Sequence, residues 1–521
     1  MRIGIDVGGT NTDAVVMDGH RVVAEVKQST TSDVTSGVVI ALRDLVSQAG
    51  LPPDQVDAVM IGTTHFTNAV VEGQRLLPTA AIRLGLPATR VLPPMVDWPE
   101  RLRQVLGNHV YLCGGGHEYD GREIAPLDRE ALKRVVAEIA AKGIKTVALS
   151  SVFSPVNNEF EVEAAAFIAE SLPQVSITLS HEIGRLGLLE RENAAIMNAC
   201  LRDLAVQIVG SFKTALHEIG IDAPLYLSQN DGTLMSVEYA ERYPVFTFAS
   251  GPTNSMRGAA LLSGVLDCAV VDIGGTTSDI GILQNGFPRE ASLSVEVGGV
   301  RTNFRMPDVL SLGIGGGSLV RHKRSLEIGP DSVGYELDTR SLIFGGSEIT
   351  ASDLAVGGGL ADFGDSALVA DLDASLVRQG LAQIAERISI AVDRARTSSD
   401  PLPVILVGGG SILLGDELEG ASSVIRPDHF SVANAIGAAI AQVGGEVDRV
   451  FSLDAMTRDA ALEHSKAEAI SKAVAAGADP TTVQIMDVED VPLGYLPGNA
   501  TRIKVKAVGE LALGRNLVAA R

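Results

Sequence analysis

Cysteine is almost missing from this chain. Cys113, Cys200 and Cys268 are its only three in 521 residues. They are odd in number and far apart, which excludes a disulfide framework or a CxxC metal pair, and none has a His or acid at a spacing that marks a nucleophile. Such sparing use fits a reducing compartment. Basic residues are short too: 42 Lys and Arg against 64 Asp and Glu leave a formal charge of -22. A surface that negative argues against nucleic acid or an anionic membrane as partner. It leaves room for a small phosphate, which backbone amides can hold without net positive charge. Long apolar runs are absent. The longest stretch without Asp, Glu, Lys or Arg, His429 to Gly445, is broken by His, Ser, Asn, Gln and Gly, so no membrane span is expected. Met1 and Arg2 run straight into a strand-like segment, so no secretory leader is expected either. The expected location is cytoplasmic.

What is present starts with a repeat. "IDVGGTNTD" opens the chain and "VDIGGTTSD" returns deep inside it. In each, an Asp leads, two glycines and a Thr follow, and a second Asp closes at the same spacing: Asp6, Gly8, Gly9, Thr10, Asp13, then Asp272, Gly274, Gly275, Thr276, Asp279. Neither copy opens a GxGxxG helix, and no GxxxxGK[ST] occurs, so Rossmann and P-loop sites are poor readings. At 46% hydrophobic and 20% charged residues a substantial core is expected, and the length suggests about three domains.

Around the first copy, "RIGIDV", "DAVVMD" and "RVVAEVK" read as an antiparallel meander. Helical and strand-like segments then alternate through the first third: "SDVTSGVVIALRDLVSQAG", "DAVMIGTT", "DREALKRVVAEIAAKG", "KTVALSSV" and "NNEFEVEAAAFIAESLP", as a sheet with helices packed on it requires. A long helical stretch covers about Leu188 to Gly220. Around the second copy, "CAVVDIGG" and "TTSDIGILQNG" form a second hairpin, with "LSVEV" as a possible third strand. After an Ala-rich helix from near Ser431 the composition shifts. A helix in "DAALEHSKAEAISKAVAAGA" and two strand-like runs follow, expected to dock on the second lobe or to meet another chain, because two strands alone are marginal in water. The reading is α/β: two lobes, 1–180 and 181–450, and a small αββ region, 451–521.

A hairpin turn with two glycines can adopt positive φ and approach a ligand closely, leaving N–H groups to cradle phosphate oxygens. Asn11, Thr12 and Thr277 complete the two turns. Asp6 and Asp272, at strand ends, are candidates to hold Mg2+ (or Mn2+), since hard cations take carboxylate, water and phosphate oxygens. Two facing turns would grip a polyphosphate while the metal offsets charge on the transferred group. One such motif alone is as well explained by an ordinary tight hairpin; two with matched flanks are not. Two more clusters are open to either reading: Gly315 to Gly317, and Gly408, Gly409 and Gly410, which could lie flat under a nucleoside or only serve a loop.

This pattern resembles the two-lobed actin, sugar-kinase and Hsp70 ATPases, with duplicated ribonuclease H-like lobes. "IGTTHFTNAVVEG", "ALSSVFSPVNNEFE", "LLERENAAIMNACL", "NDGTLMS", "TFASGPTNSMRGAA", "LGIGGGSLV" and "IGPDSVG", with the two motifs, resemble the hydantoinase/oxoprolinase family, in its order, on the ATP-dependent A subunit of the short hydantoin-utilisation type. The resemblance implies ATP-dependent opening of a cyclic amide or imide (a hydantoin, 5-oxoproline or a lactam) through phosphorylation of the amide oxygen. It implies a second hydantoinase subunit as partner and an oligomer. It adds Thr63, Thr64 and Asn68 as candidate phosphate or substrate contacts beside Asp6 and Asp272. Two positions depart from the family. Ser311 stands where larger relatives carry a His, which puts a metal or acid/base role there in doubt. His65 stands where relatives have an aliphatic residue; it reads either as substrate recognition or proton transfer, or as a half-buried structural histidine. His117, Glu118 and Asp120 read as a solvated loop. Two other functions stay open: a small-molecule kinase of the same fold, and a nucleotide-dependent activator or scaffold of another enzyme.

Overall fold

The computed structural model describes residues 1–30, 34–291, 294–322, 325–454, 456–494 and 499–513. The meander forms as expected: β1 (Arg2–Val7), β2 (Asn11–Asp18) and β3 (Arg21–Ser29) pair antiparallel, and β4 (Ala58–Thr63) lies parallel on the other side of β1. The apolar residues of β1, Ile3, Ile5 and Val7, share one face of the strand and are at most 1% exposed. The second copy repeats the plan. Cys268–Ile273 pairs antiparallel with Ser278–Gln284 and parallel with Leu402–Val407. The registers coincide: Asp6 faces Asp13, and Asp272 faces Asp279.

The duplication is imperfect beyond that. "LSVEV" does not supply the third strand of the second lobe. Val295–Val297 pairs only with Val300–Thr302 in a separate two-stranded ribbon; Leu293 lies outside the described residues. Val309–Leu312 takes the place beside Ser278–Gln284. The excursion between is pinched at its base by a bridge from Glu290 to Pro307. The first third likewise divides into two sheets. Thr79–Leu86, His109–Gly114, Thr146–Ser151 and Ser176–Leu179 form their own four-stranded parallel sheet, with its own apolar core. The long helical stretch is two helices, Leu188–Cys200 and Arg202–Ile219.

The tail docks on segments within 181–450, but in a sheet that those segments share with the first lobe. Its strands are Gln484–Pro492 and Thr501–Gly509. They extend the sheet of β1 to β4 through Gln442–Phe451, which runs parallel beside Thr233–Ser236. Nine strands result, and they come from both sides of a boundary drawn at 180. The Arg458–Ala475 helix covers the new strands, so that Ala461, Ala469 and Ala473 share a buried cluster with Ile503, Val505 and Ala507. The apolar runs that two strands could not bury alone are thus buried by this helix and the larger sheet.

Two helices cross between the lobes, Ser250–Ser263 and Ala433–Ile440. Their backbones touch. A Cβ on Gly258 would lie 2.0 Å from the Ala433 carbonyl, and one on Gly437 would lie 1.8 Å from that of Asn254. Small residues at the crossing let the lobes approach, and their hairpin turns then open on one side.

Candidate active site

The two motif turns close in the same way. Gly8 N–H donates to Asn11 O at 3.0 Å, and Gly274 N–H donates to Thr277 O at 2.9 Å. The turns meet: a Cβ on Gly275 would stand 3.4 Å from Thr10 Cγ2. One detail differs from expectation. Gly8, Gly9, Gly274 and Gly275 are absent from the positive-φ residues of the chain. Their contribution is the missing side chain, which keeps the space between the turns open, rather than left-handed backbone.

The other glycine clusters buttress the second turn. Gly316 and Gly317 donate to the carbonyls of Gly274 and Gly275 at 3.0 and 2.7 Å. Gly408 does take positive φ, +80°, and a Cβ there would sit 2.2 Å from Asp272 Oδ1. A Cβ on Gly410 would sit 2.6 Å from Gly274 O. Gly409 faces elsewhere, and a Cβ on it would meet Lys27 Cε at 3.8 Å.

Four carboxylates gather where the turns face each other. Asp6, 4% exposed, accepts from Asn434 Nδ2 at 3.0 Å through Oδ2. The same amide donates to Asp13 Oδ2 at 2.9 Å. Asp6 Oδ1 is buried without a hydrogen-bond partner among the described residues. Lys27 donates to both oxygens of Asp13, at 2.7 and 2.9 Å, and to Ser431 O at 3.1 Å. Burial, then the charges of Asp13 and Asp272, push the Asp6 carboxyl up to about 7. Burial also raises Asp272, against a hydrogen bond from the Ser255 side chain. Burial pushes Asp279 up to about 6, although the Ser311 hydroxyl donates to it. Ser311 therefore anchors Asp279.

The charge at this point is unbalanced: among the described residues, four acids face one lysine. Ionising Asp6 there costs roughly 4 kcal/mol relative to water, at about 1.4 kcal/mol for each pKa unit. A divalent cation would remove that cost, and the donor set suits a hard one. Among the described residues no three His, Cys, Asp or Glu side chains form a metal cage. Two carboxylates, Asp6 and Asp272, with water and phosphate oxygens completing the sphere, fit Mg2+ in its usual protein setting.

The Thr63–Asn68 group flanks the first turn. Thr64 N–H donates to Val7 O at 3.3 Å, and Asn68 Nδ2 donates to Thr64 Oγ1 at 3.4 Å. A Cβ on Gly9 would stand 4.0 Å from Asn68 Nδ2. Thr63 is 2% exposed, and its hydroxyl hydrogen-bonds His65 Nδ1 at 2.6 Å. Thr64 and Asn68 thus lie beside the first turn, whereas Thr63 is hydrogen-bonded to His65. Burial, with Arg75 nearby, pushes the His65 imidazole down to about 4, so it is neutral near pH 7.

His117 is not in a solvated loop. It is 1% exposed and packs against the Phe160 ring, tilted by 31° at 4.4 Å between centroids. Asp120 is exposed as expected and pairs with Arg122. All three cysteines are buried, and burial pushes the thiols up, to about 11 for Cys113 and about 12 for Cys200 and Cys268.

Sequence reasoning missed Lys27, Ser255 and Asn434. Lys27 was within reach, because the β2–β3 register sets it directly opposite Asp13. Nothing local announces Asn434, which arrives from more than four hundred residues away.

Comparison with known proteins agrees with this architecture. Residues 2–172 match the hydantoinase/oxoprolinase N-terminal region, and residues 191–395 match the hydantoinase/oxoprolinase domain. Caprolactamase subunit alpha of Pseudomonas jessenii is 28% identical over 471 residues, covering 84% of this chain and 65% of that one. The acetophenone carboxylase gamma subunit of Aromatoleum aromaticum is 25% identical, covering 68% of this chain and 52% of that one. The chain therefore spans just under two thirds and about half of these relatives. The crystal structure of ATP-dependent caprolactamase from Pseudomonas jessenii superposes with a TM-score of 0.78 at 18% identity, covering 98% of this chain and 88% of that one. Nucleotide-free acetone carboxylase gives 0.70 at 17%, with the same coverage. The fold is the two-lobed actin-like one with a small αββ region, and the chain belongs to the hydantoinase/oxoprolinase family.

Proposed function

We propose that this chain is the ATP-dependent subunit of an enzyme that opens a cyclic amide or imide. The observation that carries the reading is the meeting of the two Asp-Gly-Gly-Thr turns over four carboxylates balanced by a single lysine. Such a cleft suits a metal–nucleotide polyphosphate. The caprolactamase relative supports the substrate class. Magnesium, when bound, would offset charge on the transferred phosphoryl group.

The chain's own groups have separate tasks in this reading. The N–H groups and hydroxyls of residues 8–13 and 274–277 hold phosphate oxygens from two sides. Gly408 and Gly410 let Asp272 and the second turn pack closely behind that grip. Asp6 and Asp272 orient the cation. Thr64 and Asn68 sit where the acceptor amide would meet the terminal phosphate. An unactivated lactam carbonyl resists water. Transfer of the phosphoryl group to its oxygen forms an O–P bond, breaks the bond to ADP and yields an imidate phosphate. Water then adds to that carbon, the ring nitrogen takes up a proton and leaves, which opens the C–N bond to an acyl phosphate, and a second water splits that into carboxylate and phosphate. The subunit names of the relatives support a second polypeptide in that last stage.

The test is product analysis. The chain, alone and with a co-encoded partner, is incubated with ATP and a panel of lactams, hydantoins and 5-oxoproline. Ring-opened acid with ADP and phosphate supports the reading; a stable phosphorylated product would replace it with a kinase. The carboxylase relatives favour a second reading, ATP-dependent carboxylation of a ketone. Turnover that requires bicarbonate and a ketone, and ignores every cyclic amide, would establish that one instead.

A further inference from the structure

Six residues, 429–434, reach both sides of the cleft. His429 Nδ1 is hydrogen-bonded to Glu25 Oε2 at 2.6 Å, and Ser431 O accepts from Lys27 Nζ at 3.1 Å; both partners lie on β3. Phe430 O accepts from Gly408 N–H at 2.8 Å. Gly408 in turn lies against Asp272, so closely that a Cβ would come within 2.2 Å of Oδ1. Asn434 then gives its amide to Asp6 and Asp13 at 3.0 and 2.9 Å. Its own Oδ1 accepts from Ala435 N–H at 2.8 Å, which fixes which end of the amide faces the acids.

We propose that residues 429–434 are the positioning element that sets the separation of Asp6 and Asp272, with Asn434 holding one oxygen of Asp6 so that the other stays free for a ligand. This rests on the reading of the cleft as a metal–nucleotide site. The reasoning is geometric. The two carboxylates come from different lobes, and the hairpins that carry them meet through the turn tips, Gly275 against Thr10, away from the carboxylates themselves. A cation shared with a polyphosphate needs that distance held, because a hard ion with few protein ligands gains little from a carboxylate out of place. The segment touches one carboxylate through Asn434 and the other through Gly408, and β3 anchors it at two further points. An Asn is suited to the position, since two acids share one neutral donor and the cleft gains no additional charge.

The consequence is a coupling: metal and nucleotide bind better together than apart, and the coupling depends on Asn434. The experiment measures the affinity of a fluorescent, non-hydrolysable ATP analogue in EDTA and in saturating Mn2+, for the full chain and for Asn434→Ala. In the parent chain Mn2+ should tighten the analogue by about tenfold or more. In the variant the tightening should fall to about threefold or less, with affinity in EDTA within about twofold of the parent. Equal losses in EDTA and in Mn2+ would overturn the proposal, since they mark general loss of structure. Unchanged coupling would overturn it too. Should Asn434→Ala fail to fold, His429→Ala, at a half-exposed anchor, is the second variant; a coupling below the parent's supports the proposal, and an equal one overturns it. A parent chain that binds no nucleotide at all would instead refute the nucleotide reading, and this inference with it.

Discussion

Asp6 illustrates how a residue can be costly to the fold and useful to the site. Its carboxyl is buried beside Asp13 and Asp272, with a single amide donor on one oxygen and no partner on the other among the described residues. Groups held at a cost of several kcal/mol are retained at functional positions. Asp6→Ala and Asp272→Ala should therefore each lower metal-dependent ATP turnover by about 100-fold or more, while the melting temperature holds or rises. A sharp fall in melting temperature with turnover intact would make these carboxylates structural. His65 gives a second residue-scale expectation. Its folded value, about 4, lies below the 6.5 of a free imidazole. The unfolded chain therefore takes up a proton first, and stability falls as pH drops from about 6.5 to about 4, then levels. His65→Gln should flatten that part of the curve in urea titrations. A slope identical in both proteins would count against the buried, neutral imidazole.

At the scale of elements, the crossing of Ser250–Ser263 with Ala433–Ile440 is the tightest point of the fold. Gly258→Val would force its backbone away from Ala433. The expected loss is about 3 kcal/mol in chemical denaturation, with weakened nucleotide binding because the turns separate. A variant that binds nucleotide normally would show that lobe spacing is set elsewhere. What the sequence made legible follows this division between local and distant. Both hairpins could be read because turn, strand and closing Asp lie within one short segment, and the Asp6–Asp13 pairing follows from the turn alone. The glycine backbone was misjudged, since composition shows where a side chain is missing and not which φ results. The shared sheet was hidden because Gln442–Phe451, which carries the tail strands, pairs with Thr233–Ser236 some two hundred residues earlier and no local signal links the two. Asn434 was hidden for the same reason, whereas Lys27 followed from the meander register.

The whole molecule is held together by charge as well as by apolar contact. Asp231 meets Lys506 of the tail at 3.1 Å and Arg305 of the second-lobe excursion at 2.8 Å. Lys504 meets Glu290 at 2.6 Å. Burial alone would raise Asp231, but Lys506 and Arg305 override it and hold the carboxyl below the usual carboxylate range. Its contribution is present above the unfolded value near 4 and is lost as pH falls below it. Asp231→Asn leaves the buried Lys506 facing a neutral group while Arg305 keeps Glu446, and should destabilise the chain by about 3 kcal/mol at pH 7; an unchanged urea midpoint would mean that the tail is secured by its strands alone. Those strands also impose an order of events on biosynthesis. Thr233–Ser236 leaves the ribosome about 200 residues ahead of Gln442–Phe451, the strand that covers it. At about 5–20 residues per second, that edge waits for roughly 10–40 seconds with its backbone groups unpaired. A nascent chain stalled at residue 441 should therefore recruit chaperones or self-associate. The full chain released from the ribosome should do neither, its last strands having closed a sheet that its first strands began.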